Sequence, residues 1–369
     1  MTDHISNEEL LDRYARLCEA ADRHDDEGWR SAHEDGIKRS ITITPDQLGR
    51  FASMAIGGIG FEPGQDYQGF APVLSGPVQP VPPFSPQQIE VYRSIVERGL
   101  ANHRKVLESD PTIRPEAWKK AVSVDGVVGG ASVSVSLFGE PVRVSAHTLR
   151  VAPRAFWMHN MVGHFPRAVL EIGGGHGRFA RDLRMLVPGM QVVYCDLTFN
   201  LLLTARYLTR VFGSDVHLAW DDDEPIPSDA RIVLLPPWRL REIPFQVEVC
   251  CNYLSFHHME TRNVRYYSDR LTELDVAAIF HINRLEAAYE RETSLGKGSF
   301  GPEWVPLTRG RVDTSRIHAP GGVIRKLPVF QELLVRDRHI DRYVDAYRAR
   351  LAFEKLRREK LADAPDETA

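Results

Sequence analysis

The sequence predicts an α/β fold with a parallel sheet, on two observations. First, a short apolar run at 168–172 leads into Gly173, Gly175 and Gly177, and apolar residues then recur at helical spacing from 179 to 187. That order is typical of a buried strand, a tight turn and a helix. Second, short apolar runs alternate with helical patterns further along the chain, at 191–196, 231–235, 247–254 and 276–283. Such alternation is typical of a parallel sheet covered by helices.

The part of the chain before this core is predicted to be mainly helical. Ser6 and Glu9 form a capping box, which opens a helix. The Gly- and Pro-rich stretch 41–84 is interpreted as an irregular connecting arm. Apolar and polar residues alternate over 132–145 on both sides of Phe138-Gly-Glu-Pro141, which predicts a β-hairpin.

The part of the chain after the core is predicted to complete the sheet. Apolar pieces between 323 and 336 are expected to form its last two strands, after a flexible loop at 296–301. A charged amphipathic helix is expected over 340–361. It would pack on the body of the protein or against a second subunit, so a homodimer stays open.

Composition points to a cytoplasmic enzyme. The formal charge of −4 gives no indication of nucleic-acid binding. No apolar run reaches membrane-spanning length, and the N-terminus is polar, unlike a signal peptide. The four cysteines lack metal or disulfide spacing. The acidic run 221–224 is interpreted as a solvated loop, because consecutive acids cannot all point inward to one ion. We therefore expect no metal.

The glycine turn is predicted to bind a ligand, because glycines allow the backbone to approach a ligand closely and a helix N-terminus follows. A dinucleotide fingerprint would place its third glycine at Arg178. Here the glycines alternate instead, and Glu171 stands two residues before Gly173. This pattern resembles motif I of the class I S-adenosylmethionine (SAM) methyltransferases, which implies SAM as the cofactor. A nicotinamide-dependent oxidoreductase is the alternative from another class of enzyme.

Asp196 is a second predicted contact of the cofactor. It ends the strand 191–196, nineteen residues after Gly177. A carboxylate at that place can accept hydrogen bonds from both hydroxyls of a bound ribose. Leu197 follows it and is expected to touch the adenine.

A pair of histidines is the second informative feature. His257 and His258 directly follow the fourth predicted strand, where catalytic groups collect in open α/β sheets. An imidazole can take a proton near neutral pH, so either ring is a candidate base. The fifth strand ends on His281, Asn283 and Arg284, which we expect at the same edge.

A narrower resemblance, to bacterial sugar O-methyltransferases, covers roughly residues 130–285. It rests on these segments: Phe138-Gly-Glu-Pro141, Glu171–Arg178, Asp196-Leu197, Tyr207-Leu208, Asn252–Met259, Tyr266 or Tyr267, and Ile282-Asn283-Arg284. The chain departs from that family's Ser-x-x-Glu-Met pattern, because His258 stands where the Glu is expected.

The resemblance implies an α/β, Rossmann-like class I methyltransferase core of seven strands. It implies cofactor contacts from Glu171, the three glycines, Asp196, Leu197 and Asn252. It implies His258 as base with His257 second, and substrate contacts from His281, Asn283 and Arg284. The acceptor would be a hydroxyl of a sugar, glycoside, oligosaccharide or natural product. A methyltransferase of a non-sugar molecule and a non-catalytic SAM-binding partner protein are the remaining alternatives.

The predicted organisation has four parts. Residues 1–130 form a helical and irregular extension, and 131–165 the hairpin and a linking helix. Residues 166–340 form the SAM-binding methyltransferase core, and 341–369 a C-terminal helix and tail.

Overall fold

The computed structural model describes residues 5–24, 115–123, 133–137, 139–144, 146–287, 301–318 and 324–346, together with 45, 48, 94, 96, 97, 99–101, 294, 295, 299, 300 and 348. The predicted arm at 41–84 lies outside the described residues except for 45 and 48. So do residues 296–298 of the predicted loop, and 347 and 349–361 of the predicted C-terminal helix.

The chain divides into two compact units. The first comprises residues 1–155 and 167–246, and the second comprises 156–166 and 247–369. The four predicted parts of the chain are a different division, and their boundaries stay a prediction.

The first unit contains four parallel strands in the order β5-β6-β4-β3. These are β3 (Ala168–Ile172), β4 (Gln191–Cys195), β5 (Val216–Leu218) and β6 (Ile232–Leu235). Nearly all their residues are buried, which is why they read as continuous apolar runs rather than alternating ones. β5 is too short to give a periodic signal, and the sequence does not predict it. The α/β fold is confirmed.

A hairpin of β1 (Val133–Leu137) and β2 (Glu140–Val144) also belongs to the first unit. The two strands pair antiparallel, with Val133 opposite Val144. Gly139 lies at the turn with a φ of 81°, which glycine tolerates without strain. The predicted hairpin is therefore confirmed.

Five helices accompany these strands in the described part of the chain before residue 247. They are α1 (Asn7–Arg23), α2 (Pro115–Val122), α3 (Ala146–Val162), α4 (Arg178–Leu186) and α5 (Thr198–Phe212), and α3 runs on into the second unit. The Ser6 hydroxyl accepts a hydrogen bond from the Glu9 backbone N–H at 3.1 Å. The predicted start of α1 is thus correct.

Arg178, which occupies the place of a third glycine, docks α2 against α4. Its guanidinium donates to the carbonyl oxygens of Ala121 at 2.6 Å and Ser123 at 3.0 Å. Arg181 donates to the same Ala121 oxygen at 3.0 Å. Asp182 lies 3.0 Å and 2.9 Å from the two arginines. The last carbonyls of a helix lack helical partners, so these cations satisfy the end of α2.

The acidic run 221–224 pairs with arginines of α1. Arg16 donates to both carboxylate oxygens of Asp221, at 2.9 Å and 3.4 Å, and Arg23 lies 2.9 Å from Asp222. The run is therefore on the surface, as predicted, but it is engaged by α1 rather than simply solvated. Each exposed pair of this kind contributes about 0–1 kcal/mol.

The second unit contains four strands in the order β7-β8-β10-β9. They are β7 (Val249–Tyr253), β8 (Ala278–Arg284), β9 (Trp304–His318) and β10 (Ile324–Arg336). β7 and β8 are parallel and are joined through helix α6 (Thr261–Glu273). β10 runs antiparallel to both of its neighbours.

The prediction that 323–336 holds the last two strands is wrong. These residues form one long strand, β10, and its partner β9 lies at 304–318. β9 is at the end of the strand order, and it contains three Arg and two Thr. Edge strands often carry such charged and polar residues, so a search for apolar runs does not find this one. With the hairpin set aside, the described residues form eight strands rather than seven.

None of the helices in the described ranges is both long enough and apolar enough to cross a membrane.

Candidate functional site

The turn between β3 and α4 brings together the three glycines predicted to bind the cofactor. Gly173, Gly175 and Gly177 have φ angles of 68°, 72° and 77°. Other residues are strained in this region, so the alternating pattern is a backbone requirement. The Gly173 N–H donates to the Cys195 carbonyl oxygen at 2.8 Å, which continues the pairing of β3 with β4 into the turn.

Two glycines of the turn are also needed for close packing. A Cβ added at Gly174 would lie 2.3 Å from Glu171 Oε1 and 2.6 Å from a ring carbon of Tyr194. One added at Gly177 would lie 2.6 Å from Thr204 Cγ2. Glu171, Tyr194 and Thr204 therefore pack directly against the backbone of the turn.

Asp196 is buried and accepts four hydrogen bonds from the protein. Its Oδ2 accepts from the Gly175 N–H at 3.0 Å and the Tyr194 hydroxyl at 2.7 Å. Its Oδ1 accepts from the Leu197 N–H at 2.8 Å and the Asn200 amide at 2.9 Å. Burial raises the pKa of Asp196, and these donors oppose the rise. A carboxylate has about four acceptor sites, and all four are in use here. A ribose hydroxyl would therefore have to replace one of these donors or share its acceptor site.

The carboxyl of Glu171, at the end of β3, is only partly hydrogen-bonded. Its side chain is 1% exposed, and within the described residues Oε2 is buried without a hydrogen-bond partner. Burial raises the pKa of this carboxyl to about 8, although the charge of Arg154 opposes the rise. Glu171 is therefore mostly protonated at pH 7. A cation bound beside it would favour the ionised form and lower the pKa again.

In the second unit, four of the predicted site residues form one buried network. The Asn283 side-chain oxygen lies 2.7 Å from His257 Nδ1, and its amide nitrogen donates to Asn252 Oδ1 at 2.9 Å. The Phe256 backbone N–H donates to the same Asn252 oxygen at 2.9 Å. The Asn283 nitrogen is also 3.4 Å from His281 Nδ1. The ends of β7 and β8 therefore meet, as predicted for parallel strands.

The two adjacent histidines have different surroundings. His257 is 2% exposed, and burial, together with the nearby charges of His258 and Arg284, lowers its pKa to about 2. It is therefore neutral at physiological pH. His258 is exposed, and its ring lies 4.1 Å from that of His257, centroid to centroid. Arg284 is only 2% exposed at the end of β8.

The structure adds two polar residues that the sequence analysis does not select. His281 Nε2 lies 3.1 Å from Glu332 Oε2, and the other Glu332 oxygen accepts from Arg309 Nε at 2.8 Å. Burial alone would raise the pKa of Glu332, but His281 and Arg309 bring it below its ordinary value. The signal available in the sequence was a single acid within the apolar run that becomes β10.

No family model matches the chain, and no curated protein matches it. Several solved methyltransferase structures are similar to part of it. Magnesium protoporphyrin IX methyltransferase ChlM from Synechocystis, with bound S-adenosylhomocysteine, is 11% identical over 51% of this chain and 83% of ChlM, with a TM-score of 0.33. The mitomycin 7-O-methyltransferase MmcR is 15% identical over 52% of this chain and 55% of MmcR, with a TM-score of 0.31. These likenesses assign no role to any residue.

Proposed function

We propose that the chain is a SAM-dependent O-methyltransferase that methylates a hydroxyl of a sugar or of a sugar-containing molecule. The observation that carries the proposal is the turn after β3, where three glycines take positive φ beside Glu171, a buried carboxyl whose Oε2 has no hydrogen-bond partner among the described residues. The sugar acceptor rests on the resemblance of residues 252–259 and 282–284 to sugar O-methyltransferases.

The residues at the turn fit a cationic nucleoside cofactor. SAM carries an ammonium group, and a neutral buried carboxyl that ionises beside a cation is a fitting partner for it. Asp196 and Leu197 would hold the ribose and adenine, with Asp196 exchanging a protein donor for a ribose hydroxyl. Arg178 is engaged by α2 and leaves no third glycine for a dinucleotide pyrophosphate.

SAM, when bound, supplies a methyl group already activated by its sulfonium. The tasks left to the chain are to orient the acceptor hydroxyl, to exclude water and to take the proton that the hydroxyl loses. We propose that His258 takes the proton of the acceptor hydroxyl, because His258 is exposed and can contact a ligand. His257 is second, because a group with a pKa of about 2 is a weak base although it can accept a hydrogen bond.

Four further residues would help to position the acceptor indirectly. They are Asn252, His281, Asn283 and Arg284. All four are buried, with at most 2% of each exposed. We therefore propose that they act mainly by holding His257 rather than by wide contact with the ligand. For Asn252, the sequence analysis predicts a cofactor contact, and that role stays a prediction.

The experiment that tests the proposal is binding followed by turnover. Calorimetry with the full chain should show binding of S-adenosylhomocysteine and none of NAD. Incubation with SAM and a panel of glycosides should then give products heavier by one methylene, with the methyl on oxygen by NMR. Binding of NAD alone would overturn the proposal, and methylation only of non-sugar acceptors would overturn its sugar part.

A further inference from the structure

The two carboxylate oxygens of Asp196 each accept one hydrogen bond from the backbone and one from a side chain. Oδ2 accepts from the Gly175 N–H at 3.0 Å and from the Tyr194 hydroxyl at 2.7 Å. Oδ1 accepts from the Leu197 N–H at 2.8 Å and from the Asn200 amide at 2.9 Å. A carboxylate offers about four acceptor positions, so groups of the protein itself occupy all of them. A ribose hydroxyl that bonds to Asp196 must take the place of one of these donors.

Neither backbone donor can leave without a change of the main chain. The Gly175 N–H is part of the glycine turn, which is joined to β4 by the hydrogen bond from the Gly173 N–H to the Cys195 carbonyl oxygen at 2.8 Å. The Leu197 N–H belongs to the N-cap residue of α5, whose carbonyl oxygen accepts from the Leu201 N–H at 2.9 Å. Both donors are therefore fixed by the backbone hydrogen bonds around them.

The Tyr194 hydroxyl is also held in place. Its side chain is completely buried, and its oxygen lies 2.8 Å from the Gly175 carbonyl oxygen. The Thr204 hydroxyl donates to that same carbonyl oxygen at 3.0 Å. The single phenol hydrogen can turn from Asp196 to the carbonyl, but the phenol oxygen then still fills the space beside Asp196 Oδ2. A ligand hydroxyl therefore cannot take this position.

The Asn200 amide is the donor that can yield. Asn200 lies in the first turn of α5 and, unlike Tyr194, is partly exposed. Its carboxamide turns about two side-chain bonds, so it can leave Asp196 for solvent without any change of the main chain. Burial raises the pKa of Asp196, and among the donors that oppose this rise Asn200 contributes most. The oxygen that Asn200 releases therefore needs a new donor, which a ribose hydroxyl supplies.

We infer that Asn200 competes with the cofactor: its amide occupies the position on Asp196 Oδ1 that a ribose hydroxyl takes in the complex. This inference rests on the proposed function, because it requires a nucleoside at the turn. The hydroxyl then replaces one donor by another, so it adds little net affinity. The competition weakens the binding of SAM and of S-adenosylhomocysteine alike, and it thereby favours release of the product.

The first test is calorimetry of Asn200→Ala with S-adenosylhomocysteine. Removing the competing amide should tighten binding by about 2- to 10-fold, the value of one net hydrogen bond. The 2′,3′-dideoxy analogue of S-adenosylhomocysteine should bind this variant no more tightly than the wild type, because it brings no hydroxyl for Oδ1 of Asp196. Tyr194→Phe should not tighten the binding of either ligand, because the Tyr194 hydroxyl stays beside Asp196 in the complex.

The matched control is Gln191→Ala, which removes the same carboxamide group from the first residue of β4. Gln191 Nε2 donates to the carbonyl oxygens of Ser228 and Ala230, both at 3.0 Å. This control should bind S-adenosylhomocysteine as the wild type does.

The second test needs no variant to fold. In nuclear magnetic resonance of the full chain labelled with ¹⁵N-asparagine, the side-chain amide protons of Asn200 should exchange slowly with water, because the amide is hydrogen-bonded to Asp196. Saturation with S-adenosylhomocysteine should make this exchange faster, because the amide is then released to solvent.

Three results would overturn the inference and leave the proposed function standing. One is an Asn200→Ala variant that binds S-adenosylhomocysteine no more tightly than the wild type. Another is an equal gain for the dideoxy analogue, which would show that the ribose hydroxyls are not involved. The third is amide exchange of Asn200 that is unchanged in the saturated wild type. A wild type that does not bind S-adenosylhomocysteine would instead remove the proposed function, and the inference with it.

Discussion

Replacing Glu171 with glutamine should stabilise the ligand-free protein increasingly as pH rises. Burial raises the pKa of this carboxyl from 4.5 to about 8. A group whose pKa is raised on folding gives its full stability below the unfolded pKa and loses it as pH rises through the folded pKa. The wild type therefore loses stability between about pH 4.5 and pH 8, and the glutamine variant does not.

The size of the effect follows from the shift. One pKa unit corresponds to 1.36 kcal/mol, so the free energy of unfolding of the wild type falls by about 5 kcal/mol in total above pH 8. About 3 kcal/mol of this is already lost by pH 7. Glutamine also buries a polar group without a partner, at a cost of about 1–3 kcal/mol, but that cost does not vary with pH. The stability of the variant relative to the wild type should thus rise by about 4 kcal/mol from pH 5 to pH 9.

Urea denaturation of the two proteins at pH 5, 7 and 9 measures this difference. Glu140→Gln serves as a control, because it makes the same substitution at a carboxylate that is 66% exposed on the hairpin. If the stability difference between Glu171→Gln and the wild type is the same at pH 5 and pH 9, the raised pKa of the buried Glu171 carboxyl is refuted.

Four further outcomes are expected. Asp196→Ala should weaken S-adenosylhomocysteine binding by about 1–3 kcal/mol in calorimetry, and unchanged affinity in a folded variant would remove Asp196 from the site. Arg178→Met should lower the free energy of unfolding by roughly 3 kcal/mol in urea, because it breaks a buried pair with Asp182; a loss below about 0.5 kcal/mol would contradict this. His258→Ala should reduce kcat by ~10²–10⁴-fold while sparing cofactor binding, with a milder effect for His257→Ala; near-normal kcat in both would exclude a histidine base at this position. Turnover should survive EDTA, since the acidic run 221–224 lies in one loop and its acids do not come from several strand ends; loss of activity that magnesium restores would refute this.

The fold was predictable where the sequence carries a strong local signal. The strand at 168–172, its glycine turn and the helix after it follow from an apolar run, residues able to take positive φ, and a 3.6-residue period. β9 was missed because an edge strand lacks a continuous apolar run. β5 was missed because three residues carry no period.

The site was predictable as a set of positions but not as a set of contacts. Strand ends predicted that His257 and Asn283 would lie at one edge of the sheet, and the two side chains are in contact. Glu332 could not be chosen from the sequence, because its partner His281 is about fifty residues away along the chain and only the register of β8 and β10 brings the two together. Nor could sequence show that Asp196 already accepts four hydrogen bonds from the protein.

The central claim, that the turn beside Glu171 binds the ammonium group of SAM, is tested most directly by counting the protons released on binding. Titration of S-adenosylhomocysteine into the chain at pH 7, in two buffers with different ionisation enthalpies, gives that number. A carboxyl with a pKa of about 8 is about nine-tenths protonated at pH 7. Ionisation beside the ammonium should therefore release close to one proton from the wild type and none from Glu171→Gln. Tight binding with no proton release from the wild type would contradict the claim.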